Sequence, residues 1–190
     1  YDERLMPVEI YPEDTYALTA KLMDSYRGGE TGKYEKRILI NGQLAWSDDV
    51  AGDENWQHIN ISLENYIDPS DTEVDIKFVL HALSDVATDE VVEIRFTIDD
   101  VHVFGGMAGN GTMEAESGWR YQETHGLWSG RFSTIDKFSG YRSFQLSHPY
   151  NKPAEGGTQA SVSQTIPLVP PTRILELDFD ASGIWAHKDR

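Results

Sequence analysis

The chain has 190 residues, of which 39% are hydrophobic and 11% aromatic. That suits one large β-sandwich or two small domains and excludes a disordered acidic tail. With 32 acidic against 16 basic residues the formal charge is −16, which repels nucleic acid and anionic lipid and suits a solvated acidic surface, divalent cations or high salt.

There is no cysteine, so disulfides and thiolate metal sites are excluded. No apolar run reaches the length of a membrane span, so no membrane insertion is expected. The chain begins at Tyr1 and not at Met, which reads as a processed protein or an excised fragment. A missing signal segment therefore does not argue against secretion.

In chain order, period-two alternation dominates. The arm Tyr1–Glu13 carries Val8 and Ile10 in alternation between Pro7 and Pro12, the pattern of an added edge strand. Tyr16, Leu18, Ala20 and Leu22 then share one face of a strand. The segment Ile38–Trp46 carries Asn41-Gly42, a pair that tolerates positive φ at both turn positions and so predicts a hairpin. The acidic cluster Asp48–Glu54 falls between Trp46 and Trp56 and reads as a solvated loop. Further strands are predicted at Ile59, Ile61 and Leu63, at Val74 to Ala82, and at Val92 to Ile98. Beyond Asp99-Asp100 the apolar positions become odd, Val101 and Val103, so the side-chain phase flips and a bulge is expected there. The uncharged run Gly105–Gly111 reads as a linker. Gln164–Leu168 and Leu175, Leu177, Phe179 and Ala181 continue the alternation. No segment shows a capped helical stripe, so the predicted fold is all-β, an antiparallel β-sandwich.

Candidate chemistry is sparse. The six histidines are scattered without metal-ligand spacing, and no nucleophile elbow or phosphate-binding loop is present. Asn60-Ile61-Ser62 and Asn110-Gly111-Thr112 have the form of glycosylation acceptors. Glu176, Asp178 and Asp180 share one strand face. Glu176 and Asp180 lie about 13 Å apart at a strand's rise, whereas a retaining glycosidase holds its two carboxylates roughly 5–5.5 Å apart. A polar sheet surface is the plainer reading, and no catalytic residue is assigned. Trp119 and Trp56 are assigned to the core. Trp128, between Gly126 and Gly130, Trp185, after Gly183, and Tyr34 are the candidates for stacking on a sugar face, with Glu176 and Asp178 as polar partners.

Two groups of motifs carry a resemblance. The rear of the chain holds Asn110-Gly111-Thr112-Met113-Glu114, Trp119, Ser139–Leu146 and Gln164–Leu168. The front holds Tyr34–Ile40, Asn41-Gly42, Trp56–Ile59 and Ile98-Asp99-Asp100-Val101. Together they resemble the calcium-stabilised jelly-roll carbohydrate-binding modules appended to xylanases and cellulases, with the two pieces in reversed order. The resemblance implies residues 1–104 as the C-terminal-like part of a module, 105–111 as the linker and 112–190 as the N-terminal-like part. The arrangement is either circularly permuted or made of parts of two neighbours. It further implies a structural Ca2+ held by Asp100, Glu114 and Asn110, with Met113 where an aromatic residue is usual. The function it implies is that of a secreted or cell-surface module that binds a polysaccharide or surface glycan without catalysis. Two alternatives stand beside it. One is a filament or surface-layer subunit, a homo-polymer completed by strand addition. The other is a jelly-roll hydrolase or lyase using Glu176, Asp178 and Asp180, although the pattern lacks the acid/base position.

Overall fold

A computed structural model describes residues 16–26, 31–50, 55–87, 94–125, 127–149 and 152–169. Among these residues there is no helix, and ten strands make two five-stranded antiparallel sheets. In chain order they are β1 (Ala17–Tyr26), β2 (Tyr34–Ile40), β3 (Gln43–Asp49), β4 (Gln57–Ser62), β5 (Glu73–Ala82), β6 (Ile94–Phe104), β7 (Arg120–Glu123), β8 (Ser129–Ser133), β9 (Ser143–His148) and β10 (Gln159–Pro167). One sheet has the order β4-β1-β6-β9-β8 and the other β3-β2-β5-β10-β7. Strands from before and after the Gly105–Gly111 segment therefore lie side by side in both sheets.

Alternation places the core. Leu18, Ala20 and Leu22 of β1, Ile94, Phe96 and Ile98 of β6, and Phe144 and Leu146 of β9 line one inner face. Ile38 and Ile40 of β2, Val74, Ile76, Phe78, Leu80 and Ala82 of β5, and Ala160, Val162 and Ile166 of β10 line the other. Burying each large apolar side chain stabilises by about 1.5–3 kcal/mol. Trp119 is buried against Phe78, with ring centroids 5.9 Å apart. Trp56 is half-buried and meets Phe138 edge-on at 5.7 Å.

The Asn-Gly hairpin forms between β2 and β3, with φ of 49° at Asn41 and 78° at Gly42. The phase flip in β6 is a bulge. Thr19 of β1 pairs with His102 and Lys21 with Asp99, so one β1 residue faces two on β6, and Asp100 takes a φ of 48°. Burial switches accordingly, from Ile94, Phe96 and Ile98 to Val101 and Val103.

The Gly105–Gly111 segment is packed, which corrects its reading as a linker. Val169 N–H donates to Gly105 O (2.7 Å), Met107 N–H to Pro167 O (3.0 Å) and Val101 N–H to Gly111 O (2.9 Å). The Gln164 carboxamide accepts from Gly109 N–H (2.9 Å) and donates to Gly109 O (2.7 Å) and Gly118 O (2.6 Å). The glycines serve close approach here. A Cβ at Gly105 would overlap the Tyr16 ring, and one at Gly111 the Val101 carbonyl oxygen.

At one end of the core, Tyr34, Trp128 and His148 form an aromatic cluster, with Trp128 and His148 centroids 4.9 Å apart. His148 is fully buried. Burial holds its imidazole below the ordinary value of 6.5, against an opposing pull from the Pro149 and Pro153 backbone. Burial also lowers His81, the Arg37 charge adding to the effect and Glu35 opposing it. Both bases take up protons more readily unfolded than folded, so their contribution to stability is present above about pH 6.5 and is lost as the pH falls below it. The melting temperature should drop between pH 7.5 and pH 5.5, and His148→Phe should flatten that slope. A slope identical in the variant would show that His148 is not its source.

Candidate functional site

Two regions hold most of the chemistry among the described residues. The first is centred on the β6 bulge. The segment 134–142 folds over the outer face of the first sheet and brings backbone donors to the bulge carboxylates. Phe138 N–H (2.9 Å) and Ser139 N–H (3.2 Å) donate to Asp99 Oδ2, and Asp100 N–H donates to Asp99 Oδ1 (2.8 Å). Ser139 Oγ donates to Asp100 Oδ1 (2.9 Å). Tyr141 N–H donates to Glu114 Oε1 (2.8 Å), with Arg142 N–H at 3.4 Å. Gly140, with φ of 59°, leaves room for the Glu114 carboxylate, which a Cβ there would overlap. Arg95 pairs with Asp136 at 2.7 Å and anchors the segment. Burial pushes the Asp99 carboxyl above the usual range. The Ser139, Phe138 and Asp100 N–H groups pull it down, and the Asp100 charge adds to the rise.

Asp100 and Glu114 are therefore brought to the same four-residue stretch, 139–142. The Asn110 side chain is bonded within its own turn. Its Nδ2 donates to Ala115 O (2.5 Å) and Ser117 O (2.9 Å), and its Oδ1 accepts from Ala115 N–H (2.9 Å). Its own carbonyl accepts from Trp119 Nε1 (3.0 Å). Asn110 staples the turn, with one hydrogen bond accepted at its Oδ1. Met113, in the place of the usual aromatic residue, is fully buried. Calcium takes ~6–8 oxygen ligands. Two carboxylates supply the hard-oxygen chemistry, and backbone carbonyls or water would have to supply the rest. Among the described residues no group of three or more His, Asp, Glu or Cys side chains is placed to hold a metal ion.

The second region lies on the outer face of the second sheet. Lys77 of β5, Gln122 and Glu123 of β7, Thr124, and Gln159 and Ser161 of β10 line a shallow groove of about 260 Å³. The register sets this face, because Ser161 pairs with both Val79 and Gln122 while Val162 and Tyr121 point inward. Tyr121 packs into the space above Gly130, where a Cβ would strike its ring. Its hydroxyl donates to Glu123 Oε2 (2.8 Å), which also accepts Trp128 N–H (3.1 Å). Burial first, then the hydrogen bond and charge of Glu123, push the Tyr121 hydroxyl well above its ordinary range. No sequence motif marks this face, and strand register alone brings these residues together.

The aromatic candidates fare differently from their reading in the sequence. Trp128 is 6% exposed and Tyr34 is 0% exposed, so neither presents a ring face to solvent. Both belong to the core cluster with His148. The flanking glycines of Trp128 suggested a surface turn, but β8 follows directly and places the ring inside. Trp185, Glu176, Asp178 and Asp180 lie outside the described residues, as do the Leu175 to Ala181 alternation and the Tyr1–Glu13 arm. Compared with known proteins, the chain matches no family model, no curated sequence and no solved structure.

Proposed function

We propose that this chain is a non-catalytic glycan-binding module of jelly-roll type. The groove on the outer face of the second sheet is the observation that carries the reading. Its lining offers amides at Gln122 and Gln159, hydroxyls at Thr124 and Ser161, and one ammonium at Lys77. The amides and hydroxyls can both donate to and accept from sugar hydroxyls, and the ammonium donates. The groove's volume suits one sugar residue of a longer chain, and its openness at the sheet surface leaves the rest of that chain room to continue. Calorimetric titration against a panel of soluble polysaccharides, with calcium present, tests this. Binding to at least one is expected, with affinity lowered about tenfold in Gln122→Ala, the cost of roughly one net hydrogen bond. Absence of heat with every member would overturn it.

A calcium ion belongs to the same proposal. Asp100 and Glu114 would hold it, and it would neutralise the acidic charge that gathers where β6, the 110–114 turn and the 139–142 stretch meet. An ion bound only by the folded state stabilises by about 2.7 kcal/mol at a hundredfold excess over Kd. Chelation should thus lower the melting temperature by roughly 5–10 °C. Asp100→Asn should abolish the response. An unchanged melting curve in chelator ends the calcium assignment and leaves the groove reading standing.

A further inference from the structure

The inner face of β1 runs Leu18, Ala20, Leu22 and then Asp24. That of β2 runs Tyr34, Lys36, Ile38 and Ile40. Two opposite charges thus interrupt two facing apolar rows. Asp24 is 2% exposed and Lys36 is 1% exposed. Lys36 Nζ is in direct contact with Asp24 Oδ2. It also donates to Gln57 Oε1 at 3.1 Å, lies 3.3 Å from Asp48 Oδ2, and sits 5.9 Å from the centroid of the Trp46 ring. Gln57 Nε2 donates to the same Asp48 oxygen at 3.2 Å. β1 and β4 of one sheet and β2 and β3 of the other therefore close a small polar cage around one ammonium.

We propose that Lys36 and Asp24 condense to an intramolecular amide that ties the two sheets covalently, with Asp48 as the proton carrier. An ion pair held this deep bears the desolvation cost of both ions. An amide carries no charge and removes that cost. The reaction needs no outside reagent. The Lys36 ammonium passes one proton to the Asp24 carboxylate it touches. The neutral Nζ then attacks Asp24 Cγ, and the N–C bond forms. Asp48 takes a second proton from nitrogen and delivers it to the departing hydroxyl, so the C–O bond breaks and one water leaves. Ammonium plus carboxylate becomes amide plus water, and Asp48 ends as it began. Its side chain is 46% exposed while those of Lys36 and Asp24 are 2% and 1%, which gives the proton and the water a route out on its side. The chain contains no cysteine, so no disulfide could supply such a tie.

Mass spectrometry of the intact folded chain tests this directly. The parent should weigh one water less than its sequence, and a digest should contain a branched peptide joining the Lys36 and Asp24 segments. Lys36→Arg keeps the buried cation but removes the nucleophile, and should restore the full mass. Asp24→Asn should lose ammonia in place of water. Asp48→Asn should accumulate unlinked chain while remaining folded. A folded parent at full sequence mass, or one short by a water but yielding Lys36 in an ordinary linear peptide, would overturn the proposal. Because the decisive reading is made on the parent, misfolding of a variant does not spoil it.

Discussion

Replacing Gly111 with Ala should destabilise the fold by about 3 kcal/mol, the sum of an over-packing cost and a lost backbone hydrogen bond. Gly111 lies flat against β6, where its carbonyl accepts Val101 N–H at 2.9 Å. The added Cβ would overlap the Val101 carbonyl oxygen and come within 3.2 Å of its carbon. A backbone cannot step aside as a side-chain tip can, so either β6 bends at its bulge or the pairing opens. For a chain of this size the melting temperature should fall by roughly 6–12 °C. Gly42→Ala is the matched control. Its φ of 78° makes Ala strained, but nothing lies within 4 Å of the new Cβ. It should cost only about 1–2 kcal/mol, the penalty of one left-handed residue. Thermal unfolding of the two variants side by side checks the ranking. If Gly111→Ala melts with the parent, the 105–111 segment is a loose connection after all.

That segment shows how far residue patterns reach. Period-two alternation places a side chain on one face or the other, so β1, β5 and β6 were legible, and so was the Asp99-Asp100 bulge, because a phase flip leaves a mark in the pattern itself. The Asn41-Gly42 turn was legible because its chemistry is local. Glycine is ambiguous in a way those signals are not. The same small residue serves a flexible joint or a close backbone contact, and only the partner, Val101 or Tyr16 here, decides between them. Trp128 failed for the same reason, since its glycine neighbours describe the local chain and not the side of the sheet on which the ring falls. Asn110 matched a ligand pattern, and its carboxamide also ties down its own turn through Ala115 and Ser117, a local role that the pattern did not show. The groove residues are ordinary polar side chains in strands, and only the registers of β5, β7 and β10 bring them together. Lys36 and Asp24 did leave a trace, each falling in phase with a buried row, but their meeting depends on how the two sheets are stacked.

Lys36→Met leaves the Asp24 carboxylate, 2% exposed, without its lysine partner, a cost of about 3–5 kcal/mol, to which an amide in the parent adds the loss of the covalent tie. The double variant Asp24→Leu/Lys36→Met then separates an ion pair from an amide. A buried ion pair replaced by apolar residues of similar volume is often neutral or stabilising. With an ion pair in the parent, the double variant should recover all of the loss. With an amide in the parent, it gives up a covalent tie as well. Asp24 and Lys36 are 12 positions apart. Closing a loop of that order stabilises by about 3 kcal/mol through the entropy of the unfolded chain. The double variant should therefore regain stability over Lys36→Met yet remain about 3 kcal/mol below the parent by that same entropy argument. Denaturant unfolding measures both quantities at once. The cross-linked parent should also show a smaller m-value than the double variant, because its unfolded state exposes less surface. Equal m-values and equal midpoints for parent and double variant would leave Lys36 and Asp24 as an ion pair alone.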